Sequence, residues 1–231
     1  LKAIRPVIGL EIFHNFSLVH DDIMDEADLR RGNPTVHKKW NQTIGILSGD
    51  LMEILATEFI AQVDARHLKK SLNVFFTLSK KVCEGQQLDM NFENVSTVTE
   101  SEYIDMISKK TAALLAGSMQ LGALLADAGK DSEKRIHDFA ENLGIAFQLR
   151  DDYLDSFGDS EFGKKIGGDI LENKKTILMV KLLESESADE AFDIIKNGNN
   201  INSEEKISAI ENFIKTNYLI FKSIYYFYKI K

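Results

Sequence analysis

Cysteine and proline are almost absent from this chain. Its 231 residues include one cysteine, Cys83, and two prolines. A single cysteine excludes an internal disulfide framework and a cysteine-rich zinc site, and it fits a reducing, cytoplasmic location. Because there are also only 14 glycines, turn-forming residues are too few for an all-β sandwich or barrel, and long helices are expected.

Long apolar runs and an excess of positive charge are missing as well. No uninterrupted apolar stretch approaches the roughly 20 residues that a membrane-spanning helix needs, and no signal-peptide pattern opens the sequence. The net charge of −8 argues against general nucleic-acid binding. If such a chain handles phosphates, it must do so with local cationic residues or with metal ions.

Apolar residues recur at spacings of three and four along most of the chain, which predicts helices almost throughout. We predict one all-α domain over residues 1–231, with roughly eight to ten helices. The chain opens as if inside a helix and without an initiator Met, so we expect that an upstream segment is missing. The helical segments are Ile8–Ile23, Gly45–Val63, Leu72–Asn91, Glu100–Ala128, Ser132–Phe157, Lys175–Glu184 and Ser203–Lys231. The loops are Arg31–Lys39, Asn94–Thr99, Asp127–Asp131, Gly158–Asn173 and Asn197–Asn202.

A duplicated acidic pattern is the sharpest feature of the sequence. Residues 21–25 and 151–155 both read Asp-Asp-x-x-Asp, and each copy follows an apolar helical run. Residues four apart share a helix face, and like charges there are unfavourable, the more so near apolar surface. A divalent cation offsets this cost, and carboxylates without His or Cys suit Mg²⁺. One copy alone is more often a solvated helix end, but two copies favour a pair of Mg²⁺ sites that hold one diphosphate between them.

Cationic residues stand close to both acidic motifs in the sequence. Any one pair is usually plain surface, and only the placement near the acidic motifs favours phosphate binding, for which Arg offers a fixed fork and Lys a mobile charge. The pairs are Arg30-Arg31, Lys109-Lys110, Lys164-Lys165 and Lys174-Lys175.

Glu11-x-x-His14 offers a competing metal site, because its spacing is that of di-iron helical bundles. That site needs a second copy on another helix, and the sequence has none. His14 is then either a polar residue that points towards a phosphate pocket or a hydrogen-bonded core histidine.

Taken together, the motifs resemble those of the trans-isoprenyl diphosphate synthases, or polyprenyl synthetases, of the short-chain type. The resemblance runs from about Ile8 to Leu183. The matching segments are residues 20–25, 29–37, 49–50, 84–86, 110–112, 147–155, 163–164, 168–169 and 174–176.

The resemblance implies an all-α fold of antiparallel helices around a deep central cavity, in a homodimer. It implies a Mg²⁺-dependent transferase of isoprenoid biosynthesis, with two or three ions and Mn²⁺ as a possible substitute. The reaction joins isopentenyl diphosphate head to tail to an allylic diphosphate (dimethylallyl, geranyl or farnesyl). A bulky residue five positions before the first aspartate is typical of short products, so a C15 to C20 product is expected, with geranylgeranyl favoured.

The matching positions also imply roles for single residues. The metal ligands are Asp21, Asp25 and Asp151, supported by Asp22, Asp152 and Asp155. The predicted catalytic set is Asp21, Asp22, Asp25, Lys110, Asp151, Asp152 and Lys174. The substrate-binding residues are His14, Arg30, Arg31, Lys110, Thr111, Gln148, Lys164 and Lys174. Of these, Arg30, Lys110 and Lys174 grip the allylic diphosphate, and Arg31 and His14 contact isopentenyl diphosphate. Phe13 and Phe16 limit chain length, unless they are ordinary core aromatics.

One departure from the family pattern concerns the isopentenyl site. The upstream Gly-Gly-Lys-x-x-Arg-Pro motif is absent, and Arg5-Pro6 stands too close to Asp21 to replace it. Two alternative functions remain. A class I terpene cyclase is disfavoured by the Asp-Asp-x-x-Asp form of the second motif, and a regulatory subunit of a heteromeric synthase is disfavoured because both acidic motifs are intact.

Overall fold

The computed structural model describes residues 3–158, 167–171, 174–184 and 203–216. These residues are almost entirely helical, which confirms the predicted all-α class. The elements are α1 (Ile4–Met24), β1 (Leu29–Arg30), β2 (Asn33–Pro34), α2 (Val36–Lys39), α3 (Gln42–Ile60), α4 (Ala65–Glu93), α5 (Glu100–Ile107), a π-helical turn (Ser108–Ala112), α6 (Ala113–Leu125), α7 (Lys130–Phe157), α8 (Gly168–Leu171), α9 (Ile177–Leu183) and α10 (Ser203–Thr216).

Three predicted segments contain elements that the sequence did not predict, within the described residues. The predicted single helix Glu100–Ala128 is interrupted by the π-helical turn, and the predicted loop Arg31–Lys39 contains the short helix α2 and strand β2, which pairs with β1 just before the loop. The predicted loop Gly158–Asn173 includes α8, while residues 159–166 and 172–173 lie outside the described residues. So do the predicted loop Asn197–Asn202 and the predicted helix beyond Thr216.

Several helices start where a side chain caps the first turn. Asn41 accepts a hydrogen bond from the Ile44 N–H at the start of α3. Thr99 and Glu102 form a reciprocal capping box at the start of α5. These caps satisfy backbone N–H groups that have no partner within the helix, so they fix the first residue of each element.

The chain forms two compact units, each with its own apolar core. Unit 1 comprises the residues up to Val82 together with Ala113–Glu141, and unit 2 comprises Cys83–Ala112 with the residues from Asn142 onwards. The buried core of unit 1 is Leu10, Phe13, Ala56, Ile60, Phe75, Leu78, Val82, Ala113, Leu121 and Leu124. The core of unit 2 is Val98, Tyr103, Met106, Ile107, Ile170, Ile177, Leu178, Met179, Val180, Leu182, Ile210 and Ile214. The single domain over residues 1–231 stays a prediction.

In unit 1, α1 packs along α3. The buried row of α3 consists of Gly45, Gly49, Ala56 and Ile60, and the half-buried Glu53 falls in the same row. One oxygen of Glu53, Oε2, is buried and has no hydrogen-bond partner among the described residues. Burial raises the pKa of this carboxyl to about 7.

We expect Glu53 to make stability depend on pH. Its pKa in the folded state lies above the unfolded value of about 4.3, so its ionisation destabilises the fold as pH rises from about 4.5 through 7. Glu53→Gln should therefore stabilise the protein above pH 7 by about 1 kcal/mol, a value reduced for partial exposure. It should have little effect near pH 4.5.

Thermal unfolding of the wild type and Glu53→Gln at both pH values measures this difference. Glu58→Gln, on the exposed side of α3, is the control and should show the same small change at each pH. An equal effect of Glu53→Gln at both pH values would contradict the prediction.

No helix among the described residues is long and apolar enough to cross a membrane.

Candidate functional site

The first acidic site lies where α1 ends. Asp21 and Asp22 fall in the last turn of α1, and Asp25 is its C-cap residue. Glu26 then adopts a left-handed conformation (φ 51°), which stops the helix. The C-terminal end of a helix carries partial negative charge, so three carboxylates at this position are unfavourable without cations.

Arg30 supplies one of these cations. Its Nε and Nη2 donate to Asp22 Oδ1 at 2.9 and 2.6 Å, and Nη2 also donates to Asp21 Oδ2 at 3.3 Å. Asp22 is only 4% exposed, so the guanidinium compensates a charge that water cannot reach. Burial lowers the pKa of Arg30, but the hydrogen bonds and charges of Asp22 and Asp21 outweigh it and raise that pKa.

A two-residue hairpin turn brings Arg30 back to the end of α1. Strands β1 and β2 pair with Arg30 opposite Asn33, and Arg31 and Gly32 at the turn have φ angles of 52° and 75°. Two successive positive φ angles define the type I′ turn, for which glycine is favoured. The hairpin is tied down by Thr35, whose buried hydroxyl donates to the Ala27 carbonyl at 2.7 Å.

Two other predicted residues of unit 1 take less buried positions. Arg31 is exposed at the turn. The side chain of His14 is 38% exposed, with Nδ1 3.9 Å from Glu11 Oε2. A buried core histidine, one of the two interpretations left open by the sequence, is therefore wrong. Phe13 is fully buried and meets Phe75 edge-on, whereas Phe16 is only partly buried beside it.

The second acidic site occupies the last two turns of α7, again at a helix C-terminus. Asp152 is 3% exposed and points into the core of unit 2. Its Oδ1 accepts from Gln148 Nε2 at 2.9 Å, and its Oδ2 accepts from the Ile177 N–H at 3.0 Å and from the Tyr103 hydroxyl. Burial raises the pKa of Asp152 although these donors act to lower it.

The two outer aspartates of this motif have different surroundings. Asp151 is partly exposed. Asp155 is buried, and its Oδ2 accepts from the Asp169 N–H at 3.0 Å at the start of α8. The chain then continues to Lys174, whose N–H donates to the Asp169 carbonyl at 3.0 Å. Asp155 therefore fixes the turn that leads towards the partly buried Lys174.

The π-helical turn carries Lys110 and Thr111. Lys110 Nζ is 2.5 Å from Asp89 Oδ2 on α4, and the Thr111 hydroxyl donates to Gln148 Oε1 at 2.9 Å. Single π turns inside α-helices are frequent at functional sites. Close to this turn lies Gly85, where a Cβ atom would stand 2.2 Å from the Lys110 nitrogen.

The carboxylates of the two acidic sites fit a Mg²⁺ ion whose other ligands are phosphate and water oxygens. Among the described residues, no group of three His, Cys, Asp or Glu side chains is arranged to hold a metal by itself. Mg²⁺ does not need such a group, because it is usually held by one or two carboxylates with several waters and substrate phosphates. Each acidic site offers carboxylates at a helix C-terminus, where a cation is favoured.

The structure thus brings one group of three predicted residues into contact in each unit. In unit 1, Arg30 contacts Asp21 and Asp22. In unit 2, the predicted Thr111, Gln148 and Asp152 form one hydrogen-bonded chain. Lys164 lies outside the described residues.

Sequence reasoning missed Tyr103 and Asp89, which contact Asp152 and Lys110. Asp89 follows Gln86 by three residues, so helical spacing could have placed both on one face. Gln86 Nε2 is buried and meets no hydrogen-bond acceptor in the part of the chain that the structure describes.

Comparison with known proteins identifies relatives over most of the chain. Residues 2–214 match the family model described as Polyprenyl synthetase. The chain is 45% identical over 194 residues to the geranylgeranyl diphosphate synthase of Saccharolobus solfataricus, covering 82% of this chain and 58% of that protein. It is 42% identical over 217 residues to the short chain isoprenyl diphosphate synthase of Methanocaldococcus jannaschii, covering 91% of this chain and 65% of that protein.

A solved structure is also similar to this chain. The crystal structure of geranylgeranyl pyrophosphate synthetase from Pyrococcus horikoshii superposes with a TM-score of 0.87 at 37% identity, covering 94% of this chain and 67% of that chain. The present chain spans less than two thirds of the length of the two curated relatives above.

Proposed function

Because this chain belongs to the polyprenyl synthetase family, as its motifs predicted, we propose that it catalyses the condensation of isopentenyl diphosphate with an allylic diphosphate. The observation that carries the proposal is the repeated structural setting of the two acidic motifs. Each stands at the C-terminal end of a long helix. Arg30 contacts the first motif directly, and Asp155 of the second motif holds Asp169, whose carbonyl accepts from the backbone N–H of Lys174.

We infer that Asp21, Asp25 and Asp151 would hold Mg²⁺, because these three carboxylates are partly exposed, whereas Asp22 and Asp152 are buried. Bound Mg²⁺ offsets the negative charge that develops on a departing diphosphate. Asp155 supports this arrangement by fixing the start of α8 through the Asp169 N–H.

The cationic residues would bind the diphosphate groups. Arg30, Lys110 and Lys174 are proposed for the allylic diphosphate, and Arg31 and His14 for isopentenyl diphosphate. Positive charge placed in advance stabilises the leaving group in the transition state more than in the ground state. Thr111 and Gln148 orient the neighbouring part of the π-helical turn through their hydrogen bond.

Apolar side chains would exclude water from the allylic cation, which water would otherwise quench. The aromatic group on α1 and α4 serves this role in unit 1, where the ring centroids of Phe13 and Phe16 are 5.5 Å apart. A product of C15 to C20, with C20 favoured, is proposed from Phe16 and from the names of the curated relatives.

The length of the product should increase in Phe16→Ala. This substitution removes a partly buried ring without opening the fully buried core, where Phe13 meets Phe75. Chromatography of the dephosphorylated prenyl products should show chains at least one five-carbon unit longer than in the wild type. Phe59→Ala, at the end of α3 where the ring meets Arg5, is the control and should leave the length unchanged. An unchanged length in Phe16→Ala would exclude this role.

We also propose a cytoplasmic homodimer. The side of α3 opposite its buried row exposes the large apolar residues Ile44, Leu47, Leu51 and Ile54. A contiguous apolar surface of this kind is typical of a protein interface. Sedimentation equilibrium at micromolar concentration would give twice the monomer mass, and a monomer would contradict this part of the proposal.

The proposed reaction is tested by incubating the protein with radiolabelled isopentenyl diphosphate and, in turn, dimethylallyl, geranyl and farnesyl diphosphate. Extraction of labelled prenyl diphosphate, lost when the divalent metal is chelated, would support the proposal. Release of diphosphate from the allylic substrate alone would indicate a terpene cyclase. Turnover that requires a second chain would indicate a regulatory subunit.

A further inference from the structure

Tyr103 contributes a polar group to the interior of unit 2 that the proposed chemistry does not use. The residue lies on α5, is 2% exposed and belongs to the buried core. A phenol hydroxyl in such a position needs a hydrogen-bond partner, because an unpaired buried polar group is costly. The hydroxyl finds that partner in Asp152.

Asp152 depends on Tyr103 in the same way. A buried carboxylate without a cation must be satisfied by hydrogen-bond donors. Its three donors come from three elements, namely Tyr103 on α5, Gln148 on α7 and the backbone of Ile177 at the start of α9. Removal of one donor would therefore leave the carboxylate incompletely satisfied and free to move between the other two.

The orientation of Gln148 follows from that of Asp152. Because a carboxylate can only accept hydrogen bonds, Asp152 holds the amide NH₂ of Gln148 towards itself. The amide oxygen then faces the opposite way and accepts a hydrogen bond from the Thr111 hydroxyl. A continuous chain of hydrogen bonds thus runs from Tyr103 to the π-helical turn that carries Lys110.

We propose that Tyr103 is a positioning residue, whose hydroxyl holds Asp152 and, through Asp152 and Gln148, fixes Thr111 and the π-helical turn. The catalytic part of this inference rests on the proposed function, because it concerns the residues assigned there to the diphosphate. Tyr103 does not touch substrate in this proposal.

The test compares Tyr103→Phe with Tyr153→Phe. The first variant removes one hydroxyl and keeps the buried ring, and the second removes the hydroxyl of an exposed tyrosine on α7. A hydrogen bond to a charged group is lost only in Tyr103→Phe, so kcat should fall about ten- to hundredfold. KM for both diphosphates should stay within about threefold, because orientation matters most in the transition state. Tyr153→Phe should keep wild-type values.

A double substitution distinguishes positioning from general packing. If the hydroxyl acts through Asp152, Tyr103→Phe should have no further effect on kcat in an Asp152→Asn background. This comparison also remains possible if Tyr103→Phe alone fails to fold, since the Asn background has no buried charge at position 152. An unchanged kcat in Tyr103→Phe, or additive losses in the double variant, would overturn the inference.

Hydrogen exchange separates this inference from the proposed function. In Tyr103→Phe, the amide of Ile177 and those of the π-helical turn should exchange faster than in the wild type, and in Tyr153→Phe they should not. Faster exchange without any prenyl transfer by the wild-type protein would sustain the positioning role and refute the proposed function. Unchanged exchange together with normal turnover would refute the positioning role alone.

Discussion

Gly85→Ala should lose nearly all prenyl transfer activity. An added Cβ atom would lie 2.2 Å from the Lys110 nitrogen and 2.6 Å from its Cα, both backbone atoms that cannot rotate away. Helix α4 and the π-helical turn would have to separate, which displaces Lys110 from Asp89. A shift of about 1 Å at a catalytic group can cost about a hundredfold in rate, and overpacking of this kind also destabilises by about 1–3 kcal/mol.

The matched control is Gly122→Ala on α6. A Cβ atom at Gly122 would meet no atom of the described residues within 4 Å. Replacing a helical glycine in open space should be neutral or stabilise by up to about 1 kcal/mol. Steady-state kinetics and thermal unfolding of both variants provide the comparison. Full activity in Gly85→Ala would show that the close approach of α4 to the π-helical turn is not required.

Arg30→Met should destabilise the folded protein strongly and abolish activity. The substitution leaves Asp22 buried without its counter-charge, and breaking a buried ion pair in this way costs about 3–5 kcal/mol. Because the Arg30 side chain is 37% exposed, we expect a value nearer 2 kcal/mol after allowing for solvent screening. Chemical denaturation gives this free energy of unfolding, and the same preparation gives the loss of kcat.

Two further variants test the cause. Lys38→Met removes a more exposed ion pair, with Asp28, and should leave the free energy of unfolding almost unchanged because solvent screens this pair. Arg30→Met combined with Asp22→Asn should recover most of the lost stability, since no buried charge remains, but not the activity. If the double variant is no more stable than Arg30→Met, the ion pair is not the source of the effect.

Periodicity was sufficient to predict the helices and the helical setting of both acidic motifs. Apolar residues at spacings of three and four located most ends of α1, α3, α4 and α7 to within a few residues. It could not predict the π-helical turn inside Glu100–Ala128, because one extra residue in a helix leaves the apolar pattern nearly unchanged. The type I′ turn at Arg31-Gly32 was also missed, since strands of two residues have no alternation to detect.

The candidate site could be predicted as a set of residues but not as a set of contacts. The motif shows three aspartates in each copy, and the family resemblance gave Asp22 a supporting role beside Asp21 without showing what either residue contacts. The distinction arises when Arg30 returns to the end of α1, and for Asp152 when α5 and α9 pack against α7. Tyr103 looked like one apolar residue in a helical run, because its hydroxyl acquires a role only through a partner 49 positions away.

Asp22 and Asp152, the second aspartates of the two motifs, are held by unlike groups, so salt should affect them differently. Asp22 is held by a guanidinium that is partly open to solvent, so dissolved ions weaken the attraction as the Debye length shortens. Asp152 is held by a phenol, an amide and a peptide N–H, none of which carries a net charge. Concentrated salt should thus loosen the end of α1 while leaving the end of α7 intact. The first acidic motif should therefore be more sensitive to ionic strength than the second.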